Sequence, residues 1–245
     1  MNTSNDGVLD RRYGVERLKK PELIFRYKMR ALVAAQTARR HLLRPAPYDV
    51  VDLGSAEGLA LIEARSLLPT NVNVGIERSR ELIEMAPAMP ADSGLLAADV
   101  SRLPLADESA DLVTALAILE HLTAPVETMR ETARVLRPGG VMVATCPIPI
   151  WDEVSTRLHL LRDEQHESHL GKKVFGRLCA QANLDPVEYR RFMWAPVGFL
   201  PYLHLPVPLT WARVWDGVVQ RFPLANLLFV NQLMVARKPG GQNVQ

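Results

Sequence analysis

The sequence predicts an open α/β fold, a mostly parallel sheet with helices on both faces, and three observations carry that prediction. Five strand-like segments alternate with helix-like segments between residues 49 and 146, and such alternation builds parallel strands buried on both sides. The apolar run Val50-Val51 leads through Asp52-Leu53 into Gly54-Ser55-Ala56-Glu57-Gly58 and then an amphipathic pattern, as a buried strand does when it turns sharply into a helix. Acids recur at or just past successive strand ends, at Asp52, Glu77 and Asp99, on the edge where open α/β sheets bind ligands.

At 245 residues, 48% hydrophobic and 23% charged, the chain suits one domain with additions. Residues 1–44 read as a helical N-terminal segment, 45–146 as the core and 147–245 as a substrate-side segment. Pro21–Arg44 has Pro in its first turn, an apolar stripe through Leu23/Ile24, Tyr27, Ala31, Ala34/Ala35 and Ala38, and basic residues at its end, which predicts a helix placed to cover a ligand. Pro45-Ala46-Pro47 ends it. Strand Asp49–Leu53, helix Glu57–Leu68, strand Val72–Ile76, helix Arg80–Ala86 and a short strand Gly94–Ala98 follow. Strand Ala110–Ala115 comes next, then helix Pro125–Leu136 and strand Val141–Cys146. Between those last two, Arg137-Pro138-Gly139-Gly140 suits a helix cap and a turn.

A glycine admits backbone conformations closed to other residues, and unpaired N–H groups at the start of the next helix favour an anion there. Here the spacing is Asp-x-Gly-x-Ala-x-Gly, short of the full Gly-x-Gly-x-x-Gly fingerprint. Asp52 would repel a phosphate beside it and attract an ammonium. Glu77 lies 23 residues past Gly54, the usual place for an acid that accepts both hydroxyls of a ribose. Asp99, with Val100 next to it, can accept from an adenine amine.

The motifs VVDLGSAEG, GIERS, AADVSRLPL, ADLVTALAILEHL and LRPGG, in that order over residues 45–146, resemble class I S-adenosylmethionine-dependent methyltransferases, particularly the small-molecule group with a Leu-Arg-Pro-Gly-Gly turn before strand five. The resemblance implies a Rossmann-like, doubly wound, seven-stranded sheet, mostly parallel with an antiparallel last strand. It implies S-adenosylmethionine as cofactor and S-adenosylhomocysteine as product. Asp52, Gly54, Ser55, Ala56 and Gly58 would surround the methionine part, and Glu77, followed by Arg78, would hold the ribose. Asp99 and Val100 would read adenine, with Ala115 and Leu116 as its far wall. Ala56 stands where many members carry a second glycine.

Methyl transfer from a sulfonium needs in-line alignment, dry surroundings and, for a protonated acceptor, a base. Glu120 and His121 follow strand four, while His166 and His169 lie in the segment after strand five. Histidine suits a hydroxyl proton at neutral pH, and each of these has the alternative of an ordinary surface or turn-fixing residue. A Glu-x-x-Glu-His magnesium site is disfavoured because Ala117 occupies the first glutamate position and magnesium prefers oxygen ligands. No metal is expected. The reading is transfer to oxygen of a hydroxylated natural product, glycan or lipid-linked acceptor. Transfer to nitrogen or carbon, or a non-catalytic cofactor-binding role, are the alternatives.

After Cys146, a helix Lys172–Ala182, a strand near Val187–Met193 and a last strand Leu227–Arg237 complete the pattern. Between those strands, Trp194–Phe222 is apolar and carries Pro196, Pro201, Pro206 and Pro208, which forbid one long helix. It can be a cap on the core, a wall of an apolar acceptor pocket, a homodimer contact or a peripheral membrane contact through 195–222. Residues 1–44 hold 11 Lys/Arg against 4 Asp/Glu. A nucleic-acid or anionic-lipid partner is one reading of that excess, but a solvated basic face fits better. Aromatic residues are not interleaved as a stacking platform needs, and no Asn/Asp-Pro-Pro-Tyr/Phe tetrapeptide follows strand four, so no nucleic-acid partner is expected. Two cysteines without paired spacing and no secretory pattern suggest a cytoplasmic protein, if not one peripheral to a membrane.

Overall fold

The computed structural model describes residues 11–148, 151 and 170–240. Among them the strands are β1 (Tyr48–Leu53), β2 (Thr70–Glu77), β3 (Ser93–Ala97), β4 (Ala110–Leu116), β5 (Leu136–Pro147), β6 (Asp185–Trp194) and β7 (Phe229–Arg237). They form a single sheet in the order β3-β2-β1-β4-β5-β7-β6. Pairings among β1 to β5 are parallel, and β7 runs antiparallel to both neighbours, β5 and β6. The predicted doubly wound sheet with an antiparallel last strand is present.

The helices are α1 (Arg11–Lys19), α2 (Pro21–His41), α3 (Leu59–Leu67), α4 (Arg80–Glu84), α5 (Pro125–Val135), α6 (Lys172–Gln181), α7 (Ala195–Gly198) and α8 (Leu209–Val219). Alternate strand residues sort onto the two faces. Val50, Leu112, Val143 and Leu233 pack with Phe25, Met29 and Val33 of α2. Val51, Val113, Ala144 and Met234 pack with Met129 of α5 and Phe175 and Leu178 of α6. Both faces being covered explains why β4 is buried from Ala110 to Ala115 without polar alternation.

Three local differences from the sequence reading have physical causes. The N-terminal helix stops at His41, where Arg39, Arg40 and His41 face the negative end of its dipole, and α1 precedes it as a separate helix. Gly14 lets α1 approach α4, since a Cβ there would stand 2.9 Å from Leu82 and Met85 side-chain atoms. The Leu-Arg-Pro-Gly-Gly motif is not a plain cap and turn. Leu136 already pairs with Ala110 before the register shifts to Leu112 with Val141. Arg137 reaches Asp49 Oδ2 at 2.8 Å and Asp111 Oδ2 at 3.1 Å, tying together the starts of β1 and β4, at the end of the sheet away from the expected ligand edge.

The proline-rich insertion breaks up as predicted, into α7, a one-turn 3-10 helix Leu200–Leu203, α8 and a 3-10 helix Pro223–Leu228. Cys146 and Cys179 are free and buried. Among the described residues no helix is long and apolar enough to cross a membrane.

Candidate active site at the C-terminal edge of the sheet

The loop leaving β1 is held by the end of β2. The Gly54 and Ser55 amides both donate to the Ile76 carbonyl, at 2.9 and 3.1 Å. Glu77 Oε2 accepts from the Ala56 amide at 2.9 Å, and its Oε1 accepts from the Ser79 amide at 2.8 Å. One carboxylate therefore orients both the turn into α3 and the entry to α4. Gly54 adopts φ +66 and Ala56 φ +49, a left-handed conformation that costs a non-glycine residue about 1–2 kcal/mol. A Cβ at Gly54 would collide with the Ile118 side chain, so the main chain stays bare there.

A cavity of about 350 Å³ opens beside this loop. Glu77, Arg78, Asp99 and Ser101 supply its polar wall, and Ile76, Val100, Ile118 and Leu122 its apolar one. Asp99 Oδ1 accepts from the Ser101 amide at 2.8 Å and hydroxyl at 2.7 Å. Those bonds, helped by Arg78, hold its carboxyl below the usual range, so it is an anion and an acceptor at neutral pH.

A second, smaller cavity of about 80 Å³ lies on the other side of Gly54, walled by Arg17, Arg26, Tyr27 and Arg30 from α1 and α2, with Glu120 and Pro147 opposite. Gly54, Ala117 and His121 line both cavities. Ala117 sits at φ +60, its amide donating to the Thr145 carbonyl at 2.8 Å, and a strained backbone over-determined by its surroundings is typical of functional sites. His121 closes the short 3-10 helix Leu119–His121, its amide donating to Ile118 O at 2.9 Å.

The two cavities fit the cofactor implied by the motifs. Glu77 presents a carboxylate for vicinal hydroxyls, and apolar walls flank a slot for a planar base. Gly54 lets a chain cross between the cavities, and the arginines of α1 and α2 suit a carboxylate tail. Of the residues expected around the cofactor, Gly54, Ala56, Glu77, Arg78, Asp99, Val100 and Leu116 line one cavity or the other.

Asp52, Ser55, Gly58 and Ala115 line neither. Asp52 is 2% exposed and braces β1 to β4 by accepting from Thr114 Oγ1 at 2.6 Å. Burial pushes its carboxyl up to about 6. Ser55 accepts from the Gly58 amide at 2.8 Å, and Gly58, at φ +79, caps α3. Leu116 faces the second cavity, while Ala117, Ile118 and Leu122 wall the first. Glu120 is buried under the second cavity. His166 and His169 lie outside the described residues. Among the described residues no group of three or more His, Cys, Asp or Glu could hold a metal ion. Of the cavity-facing Arg17, Arg26, Tyr27 and Arg30, the sequence marks Tyr27 alone, as part of the apolar stripe of the helix expected to cover a ligand. The arginines are signalled by the basic excess of the N-terminal segment and, for Arg26 and Arg30, by their place in that helix.

Comparison with known proteins bears on the family and the fold. Residues 51–144 match the family described as "Methyltransferase domain". The chain is 34% identical over 151 residues to an uncharacterized 37.1 kDa protein in transposon TN4556 of Streptomyces fradiae, covering 56% of this chain and 42% of that one. It is 31% identical over 143 residues to a malonyl-[acyl-carrier protein] O-methyltransferase of Marinomonas sp. (strain MWYL1), covering 57% and 50%. The chain thus spans about half the length of these curated relatives. Among solved structures, a complex between the Haloferax volcanii Trm112 methyltransferase activator and its partner chain matches with a TM-score of 0.65 at 19% identity, covering 94% of each chain. At that identity the likeness concerns the fold.

Proposed function

This chain carries a class I S-adenosylmethionine-dependent methyltransferase domain, and from that premise we propose that it methylates an oxygen of a hydroxylated small molecule with a substantial apolar part, His121 acting as general base. S-adenosylmethionine, when bound, supplies a methyl group already activated on a sulfonium. The protein's part is to bind, orient, exclude water and move one proton. Glu77 holds the ribose hydroxyls, Asp99 and the Val100 backbone receive the adenine edge, and the bare Gly54 backbone lets the chain pass between cavities.

The observation that carries the reading is the position of His121 on the wall common to both cavities. A reacting methyl lies between the nucleoside and amino-acid parts of its carrier, and that is the junction His121 lines. His121 would take the proton of the acceptor hydroxyl onto its imidazole as that oxygen accepts the methyl group the cofactor would supply. The name of the Marinomonas relative, an O-methyltransferase, is consistent with an oxygen acceptor.

The test is methyl transfer from labelled S-adenosylmethionine to a panel of hydroxylated lipids and glycans, with wild type and His121→Gln side by side. General-base catalysis is worth about 10²–10⁴-fold. His121→Gln is expected to lose that factor in kcat and the acidic limb of the pH–rate profile, with S-adenosylhomocysteine affinity retained. An unchanged rate in the variant would remove His121 as base and favour an acceptor nitrogen or carbon that needs none.

A further inference from the structure

The segment between β6 and β7 turns the wrong face outward for a cap. In α8 the buried positions are Ala212, Asp216 and Val219. The exposed ones include Trp211, Val214, Trp215 and Val218. Beyond the helix Phe222 is 60% and Leu224 84% exposed, and before it Leu203 is 69% exposed. An ordinary surface helix shows the opposite arrangement.

The charges on this segment are one-sided. Asp216 is the single acid after Glu188 in the sequence, and it is turned inward, accepting from the Met193 and Trp194 amides, both at 2.9 Å. Arg221 is exposed at the end of α8. Among the described residues of this segment the outer face is therefore apolar and aromatic, with one exposed cation, Arg221, and no exposed acid. A two-fold contact with a second copy would bring no carboxylate of the described segment to Arg221. A surface of anionic headgroups over hydrocarbon complements both features. α8 has 11 residues, about 16 Å, which suits a helix lying in an interface rather than crossing it.

The helix carrying this face is also joined to the site. Pro147 lines the second cavity, and the next residue, Ile148, packs against Val219 of α8 and Phe229. Trp151 Nε1 donates to the Leu227 carbonyl at 3.1 Å. The cavity wall thus runs into the buried side of α8, whose opposite side is the apolar face.

We propose that the outer face of α8 and its flanking 3-10 turns dock on the surface of an anionic lipid bilayer. Trp211, Val214, Phe222 and Leu224 enter the boundary between headgroups and acyl chains, and Arg221 meets lipid phosphates. This docking stands apart from the methyl-transfer reading, since it requires no turnover.

The experiment is co-sedimentation of the full chain with vesicles of phosphatidylcholine alone and of phosphatidylcholine with an equal amount of phosphatidylglycerol. Wild type is compared with Val214→Glu, Leu224→Glu, Arg221→Glu and, as control, Leu43→Glu, which lies away from this face. Circular dichroism and S-adenosylhomocysteine affinity monitor the fold. The expected result is binding to the mixed vesicles that weakens with salt and falls about tenfold in each face variant, with the control unchanged. Equal binding to both vesicle types, or no binding to either, would overturn the proposal. So would a wild-type dimer in sedimentation velocity that Val214→Glu dissociates, since that would show a second copy to be the occupant.

Discussion

Replacing Glu77 with Gln probes the site at its most constrained point. The side chain is 8% exposed, and its two oxygens accept from the Ala56 and Ser79 amides at 2.9 and 2.8 Å while it faces the first cavity. Glutamine keeps the size but exchanges one oxygen for a donor, so one of the two amides loses its acceptor and meets another N–H. Removing the charge also weakens the bonds to a ribose diol. Hydrogen bonds to charged groups contribute about 1.5–3 kcal/mol each, so loss of one corresponds to roughly 10–150-fold in affinity. Equilibrium dialysis with labelled S-adenosylmethionine and its 2′-deoxy analogue measures this directly. The wild type is expected to prefer the ribosyl form, and the variant to bind weakly with that preference largely gone. Affinity within about twofold of wild type, with the preference intact, would refute the assignment of Glu77 to the ribose.

Three further outcomes follow from the same geometry. Asp52 has its folded-state carboxyl raised to about 6 by burial, above an unfolded value of about 3.9. Its ionisation therefore opposes folding, and stability falls as pH rises from about 4 to 6, by roughly 2–3 kcal/mol. Urea titrations across that window should show the decline in wild type and its loss in Asp52→Asn. Gly54→Ala places a Cβ at φ +66 against Ile118 and at the junction of the cavities, so calorimetry should show lowered melting and S-adenosylhomocysteine binding abolished. Asp216→Ala strands the Met193 and Trp194 amides, at about 1–3 kcal/mol per buried group. Chemical denaturation should show a loss of roughly 2–6 kcal/mol, while S-adenosylhomocysteine binding is retained.

The core was legible because its signals are local. The run Asp52 to Gly58 has one workable geometry between a buried strand and a helix, and Glu77 and Asp99 stand at strand ends by their place in the sequence alone. Elements whose identity depends on distant partners were harder to read. α1 is short and polar and is held by α4 through Gly14, so no periodicity announces it. The wall of Arg17, Arg26, Tyr27 and Arg30 is spread over two helices, and only their crossing over the Gly54 loop gathers it into one cavity. Asp52 looks like a ligand-facing acid in the motif. Its register opposite Thr114 also makes it the brace between β1 and β4. The prolines of the insertion ruled out one long helix, yet left room for α8 between Pro208 and Pro223. Which face of α8 points outward is a tertiary fact.

The central claim is that the two cavities meeting at Gly54 and His121 form one cofactor site. Calorimetric titration of the wild-type chain with S-adenosylhomocysteine tests it most directly. Binding with a stoichiometry of one is the predicted result, and the absence of any binding would contradict it.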